Sequence, residues 1–147
     1  MLFRSGRVWI VADARIDGRP ELRSALADAG WAPDADVPDA ELVVRAYLAW
    51  GPDCVHHLMG DFAFAIWDAP AQRLFCARDH LGGKPFFYAR IGAGVIVSNT
   101  LNCLRRHPGV SRELNDQAIA DFLLFGHNAE PDTTALDRKS TRLNSSH

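Results

Sequence analysis

The sequence predicts an α+β fold built on antiparallel strands, with helices before and after them. Three observations carry that prediction. Strand-like runs cluster in the middle of the chain, at 62–68 (FAFAIWD), 73–78 (RLFCAR), 86–91 (FFYARI) and 95–99 (VIVSN). Segments with apolar residues at helical spacing flank them at 20–30, 39–51 and 116–125. Both faces of the 62–78 hairpin are apolar, the pattern of strands covered on two sides rather than one.

Each element has a local reason. VWIVADARI (8–16) opens with β-branched and aromatic residues and reads as a strand broken by Gly18. Pro20 suits the first turn of a helix over 20–30, with Leu22, Leu26 and Ala29 on one face and Gly30 as terminator. The proline- and acid-rich 31–38 is a loop. Asp39 opens a helix over 39–51, where its carboxylate is expected to cap the first-turn N–H groups and to suit the positive end of the helix dipole. Leu42, Val43, Ala46, Tyr47 and Trp50 recur there at helical spacing. A short helix is expected over 52–60. In the hairpin, Phe62, Phe64 and Ile66 alternate with Ala63, Ala65 and Trp67, and APAQ makes the turn. Phe62, Phe64, Ile66, Leu74 and Phe75 are expected at the centre of the core. LGGKP (81–85) is a loop, residues 92–94 turn between two further strands, LNCLRRHP is a short helix ended by Pro108, and Asn115 caps the helix over 116–125.

Composition excludes several functions. The chain has 147 residues, 48% hydrophobic and 23% charged, with a net charge of −2 and a pI near 6.3. That is ordinary for a globular domain and gives no electrostatic footprint for nucleic acid. No apolar run reaches the length of a membrane span. Cys54, Cys76 and Cys103 are odd in number and lack CxxC spacing, which disfavours a disulfide framework or a zinc site and fits a reducing, cytoplasmic setting. The end of the chain, 137–147, reads DRKSTRLNSSH and is expected to be a disordered tail that makes no packed contacts. It resembles the in-frame translation of a sequencing-library adapter, so the domain is placed at 1–136.

The residue types that suggest chemistry each have a plainer reading. His56 and His57 are adjacent, point apart and cannot form an i, i+4 metal pair, which favours structural or surface roles over ligation. Cys76 sits in a buried strand and suits a small hydrophobe; Cys54 and Cys103 have no acid–base neighbour at a telling spacing and read as inert. Arg78, Asp79 and His80 are contiguous, so their side chains alternate rather than converge, and structural pairing at a strand end is the better reading. LGGKP lacks the spacing of a phosphate loop, and its glycines read as shaping a tight connection. No metal site is predicted.

GDFAFAIWD, LFCARDHLGGKPFFYA and PDAELVVRAYLAWG together resemble the N-terminal, class II glutamine amidotransferase domain of the asparagine synthetase family. The resemblance runs from about Val8 to Leu136, and NDQAIADFLLFGHNAEPDTTAL is similar to the family's passage out of the domain. It implies the N-terminal-nucleophile hydrolase fold, a four-layer αββα sandwich of antiparallel sheets, here missing its first strand. It also implies an N-terminal cysteine that attacks the glutamine amide and releases ammonia. The ammonia passes to a C-terminal synthetase domain of the same chain, which would use ATP and Mg, while this part itself needs no cofactor.

The match departs from the family where the chemistry lies. No cysteine follows Met1, and the family's Asn-Gly-Glu falls on Asp13, Ala14 and Arg15. A carboxylate repels an oxyanion that an amide would stabilise, and an arginine replaces an acid that would hold the substrate amine. Asp39 matches the family's other amine-binding acid. The substrate-binding positions are therefore Asp13, Ala14, Arg15 and Asp39, mostly degenerate, and no catalytic residue is assigned. VADARIDGRPEL is more similar to relatives that close β-lactam rings or lasso peptides with an internal amine. A catalytically degenerate scaffold is expected, with glutamine bound only if the site is intact. The alternative is a piece of an active glutamine-hydrolysing enzyme whose nucleophile lies upstream.

Overall fold

The computed structural model describes residues 2–5, 7–34, 36–111, 113–125 and 140–142. The fold is mixed α and β with antiparallel sheets, as predicted, and the chain divides into two units, Met1–Lys84 and Pro85–His147.

The first unit holds a four-stranded sheet of β1 (Leu2–Ser5), β2 (Val8–Asp17), β3 (Met59–Asp68) and β4 (Arg73–Arg78), paired in chain order. β1, unforeseen from sequence, runs antiparallel to β2 with Leu2 opposite Val11. The register Val8↔Asp68 to Asp17↔Met59 joins β2 to β3, and Ala63↔Arg78 to Asp68↔Arg73 joins β3 to β4. Period-two alternation sorts β2 cleanly: Val8, Ile10, Ala12 and Ile16 are buried in the core, while the intervening Val11, Arg15 and Asp17 are exposed.

Helices α1 (Arg19–Asp28) and α2 (Asp39–Trp50) supply the other half of that core through Leu22, Leu26, Leu42, Val43, Val44, Ala46 and Tyr47. α1 ends at Asp28, so Ala29, expected on its buried face, is its exposed C-cap. Residues Gly51–His57 form a 3-10 helix, and β3 begins at Met59, where the sequence reading still has helix. Every residue from Phe62 to Ile66 is buried, so the double-sided burial of β3 is real. Leu74 is not part of that centre. β4 is the sheet's edge, Leu74 lies opposite Trp67 near the hairpin tip, and both are about 40% exposed. Phe75 is partly buried and packs on the core through Tyr47 and Phe64.

The second unit pairs β5 (Phe87–Ile91) with β6 (Gly94–Ser98), around a small cluster of Ala89, Leu104 and Val110. Thr100 caps α3 (Leu101–Leu104), and the Asn115 side chain accepts the Ala118 N–H at the start of α4 (Asp116–Phe125), as the sequence predicts. Ser140–Arg142 forms β7 on the other edge of β5, where the composition predicts a tail without packing. The rest of that segment lies outside the described residues.

Candidate functional site

The candidate positions belong to β2 and to the start of α2, and strand alternation separates them. Ala14 faces the helices and packs against the main core. Asp13 and Arg15 project from the opposite face, beside Ala63 and Asp61 of β3, their register partners. On the same face β4 places Cys76 and Arg78, opposite Ala65 and Ala63.

Each charged candidate is held by another side chain or by backbone. Asp13 Oδ1 is 3.0 Å from the Lys84 ammonium. The Arg15 guanidinium lies 3.0 Å from Asp61 and 3.2 Å from Asp17. Asp39 does not cap its own helix: Pro38 is the N-cap residue, and α2 has no side-chain cap. Its carboxylate instead turns outward to accept the Ile16 N–H at 3.1 Å and to pair with Arg19, whose other nitrogen donates to the Val37 carbonyl at 2.6 Å. Asp39 thus ties the end of β2 to the start of α2, and it does not pair with Asp13 or Arg15.

The turn after β4 is set by Asp79. Its carboxylate accepts N–H groups from Gly83 at 2.9 Å, Phe62 at 3.2 Å and Lys84 at 3.3 Å. Burial alone would raise its pKa, yet the backbone donors of Gly83, Lys84, Phe62 and Gly82 outweigh it and hold the carboxyl below its usual range. Both Arg78 and Asp79 are buried, in keeping with structural roles at a strand end. Lys84 and Asp61, the partners that define this polar face, were not singled out from sequence. The one available signal was charge: each is ionic, in a segment otherwise apolar or glycine-rich.

The thiols stand apart from these pairs. Burial pushes the Cys54 thiol up to about 12 and Cys76 to about 11, which keeps both protonated and poorly nucleophilic at neutral pH. Cys103 differs from the inert reading. It is exposed, and hydrogen bonds from Thr100 and Ser98, with the Arg106 charge nearby, hold its thiol below the ordinary range. His57 is exposed and stacks on Trp50 with ring centroids 3.8 Å apart. Among the described residues no group of three His, Cys, Asp or Glu side chains is placed to hold a metal ion, and no helix is long and apolar enough to cross a membrane.

A sequence model of the glutamine amidotransferase domain matches residues 1–147. Asparagine synthetase [glutamine-hydrolyzing] 3 of Bacillus subtilis (strain 168) is 36% identical over 95 residues, 65% of this chain and 16% of the relative. A Mycobacterium tuberculosis (strain ATCC 25618 / H37Rv) protein, provisionally named asparagine synthetase [glutamine-hydrolyzing], is 34% identical over 142 residues, 95% of this chain and 22% of the relative. Amidase chyE of Penicillium rubens is 36% identical over 63 residues, 43% of this chain and 9% of the relative. The chain spans about a fifth of the length of the synthetases it matches.

Proposed function

The chain belongs to the glutamine amidotransferase domain family, as an asparagine synthetase-like member, and from that premise we propose that its glutaminase site is degenerate and that it serves as a scaffold for an ATP-dependent, amide-forming synthetase domain. The observation that carries the proposal is the self-pairing of the site. Asp13 is neutralised by Lys84, Arg15 by Asp61 and Asp17, and Asp39 by Arg19. A substrate ammonium or oxyanion entering there would have to break an internal ion pair before making its own. An anion at Asp13 also opposes a developing negative charge, where a missing donor alone costs roughly 2.7–4 kcal/mol in comparable hydrolases.

The synthetase domain as partner is supported from the opposite end of the chain. Phe122, Leu123, Leu124 and Phe125, the last turn of α4, are each more than 60% exposed. Four adjacent apolar side chains in water mark a surface meant to be covered. In this reading ATP and Mg act in the synthetase domain, and the whole enzyme works in the cytoplasm on an acceptor carrying its own amine, as in lasso-peptide or β-lactam closure. The test is glutamate release from glutamine, measured on this chain and on the longer protein of the same reading frame. Neither is expected to exceed background. Turnover by the longer protein would overturn the degenerate reading, and turnover by this chain that disappears in a Cys54→Ala, Cys76→Ala, Cys103→Ala variant would assign a nucleophile to an internal thiol.

A further inference from the structure

The turn over 79–84 is held down by charge and not by apolar packing. Its tip residue, Leu81, is 95% exposed, so burial contributes nothing there. Its first end is anchored through Asp79, whose carboxylate gathers the N–H groups of Phe62, Gly83 and Lys84 while its own N–H donates to the Phe62 carbonyl at 2.8 Å. The middle of the turn lies flat on neighbouring side chains. A Cβ on Gly82 would sit 3.2 Å from the Arg78 guanidinium, and one on Gly83 would sit 3.1 Å from Asp61 Oδ1. Gly82 also takes a φ of +66°, which side chains rarely adopt. Asp61, under Gly83, is the group that pairs with Arg15. The last residue, Lys84, then reaches across to Asp13 on β2.

We propose that this turn is a strap, buckled over the polar face of the β2–β3 ladder by the ion pair between Lys84 and Asp13, and that Lys84 closes that face to a small ligand. Its ammonium occupies the carboxylate that the amine or amide of a small ligand would otherwise meet. The two ends of the strap differ in strength. At the Asp79 end the two backbone bonds to Phe62 hold, because the one to its carboxylate is buried, while the part-buried bonds from the Gly83 and Lys84 N–H groups lie on the side that can lift. At the Lys84 end the two side chains are 32% and 41% exposed, which makes it the end that opens. Half-exposed pairs of this kind are weak and are screened by salt. The strap is therefore closed at rest but opened at small cost.

The inference rests on the degenerate-site reading only for what is shut off; glutamate release tests that reading, and hydrogen exchange tests the strap. The amides of Gly83 and Lys84 report it, because both donate to Asp79 across the turn. In Lys84→Met their exchange is expected to rise about two- to fivefold, the range a half-exposed ion pair supports, while the β2–β3 ladder is unchanged. High salt should reproduce the effect in the native chain and add little in the variant. Lys84→Arg should keep slow exchange, and the charge swap Asp13→Lys with Lys84→Asp should restore it. Labelling of Asp13 by a carbodiimide and glycine ethyl ester, read by mass spectrometry against exposed Asp17, should be faster in Lys84→Met. Equal exchange and equal labelling in native chain and variant would overturn the proposal, as would a charge swap that exchanges as fast as Lys84→Met.

Discussion

Gly60 sits where a side chain has no room. Its φ is +133°, and a Cβ there would lie 2.1 Å from the carbonyl oxygen of Arg15, the residue before its ladder partner Ile16. Neither backbone can yield without breaking strand pairing. Gly60→Ala is expected to cost about 3 kcal/mol or more, among the larger single-residue effects, read as a fall in the urea midpoint; a variant within 0.5 kcal/mol of native, on the order of a neutral surface change, would show that the strand shifts freely. Asp79 makes a second prediction, this one in pH. Its folded pKa is depressed below the unfolded value of about 3.9. Its stabilisation is therefore complete above that value and is lost as pH falls through the folded pKa. Asp79→Asn should lower stability at neutral pH by about 1–3 kcal/mol, since an amide brings a donor to a site built of donors. It should also flatten part of the acid limb of the stability profile, measured by urea unfolding between pH 5 and 2. At this scale the sequence was least legible. Gly60 reads as the end of a helix, and Asp39 as a cap, because the partners that define them, Arg15 O and Arg19, are brought up by tertiary pairing.

Along the hairpin, one strand is central and the other is an edge, and their tolerance to truncation should differ accordingly. Phe64 is fully buried and contacts the rings of Phe62 and Phe75. Phe64→Ala is expected to cost about 3–5 kcal/mol. Leu74→Ala, in the edge strand and 41% exposed, should cost under about 1 kcal/mol. Denaturant titration of the two variants checks the contrast, and equal losses would place β4 inside the core. Alternation made β2, β3 and both covered faces readable in advance, since the period of side-chain direction is a local property. Edge position is not local: which strand has a neighbour depends on the whole sheet order, so Leu74 looks identical to a core residue in sequence. β1 escaped for a related reason. Four residues, two of them polar or charged, carry too little alternation to announce a strand, and it forms because β2 offers a partner.

For the whole molecule, the family was legible because GDFAFAIWD and ARDHLGGKP encode contacts that few sequences need: the Gly60 close approach, the Asp61 pair with Arg15, and the Asp79 anchor of a glycine turn. The neutralised state of the site was only half legible. Asp13 and Arg15 are legible as departures from the family's pattern, but Lys84 and Asp61 come to meet them from positions 46 residues or more away in sequence. The last prediction concerns the surface of α4. Leu123 and Leu124 are 78% and 74% exposed, whereas Ala118 and Asp121 of the same helix are buried. Side chains this exposed can take charge without loss of fold. The double variant Leu123→Glu, Leu124→Lys is therefore expected to hold its unfolding midpoint within about 0.5 kcal/mol and to lower light scattering at high concentration, because the removed patch is what would self-associate. If a synthetase domain follows, as proposed, the same change in the longer protein should expose the junction to limited proteolysis, since the α4 surface would no longer accept an apolar partner. A large loss of stability in this chain alone would place the FLLF turn in its own core, and undiminished protease resistance in the longer protein would remove α4 as the docking face.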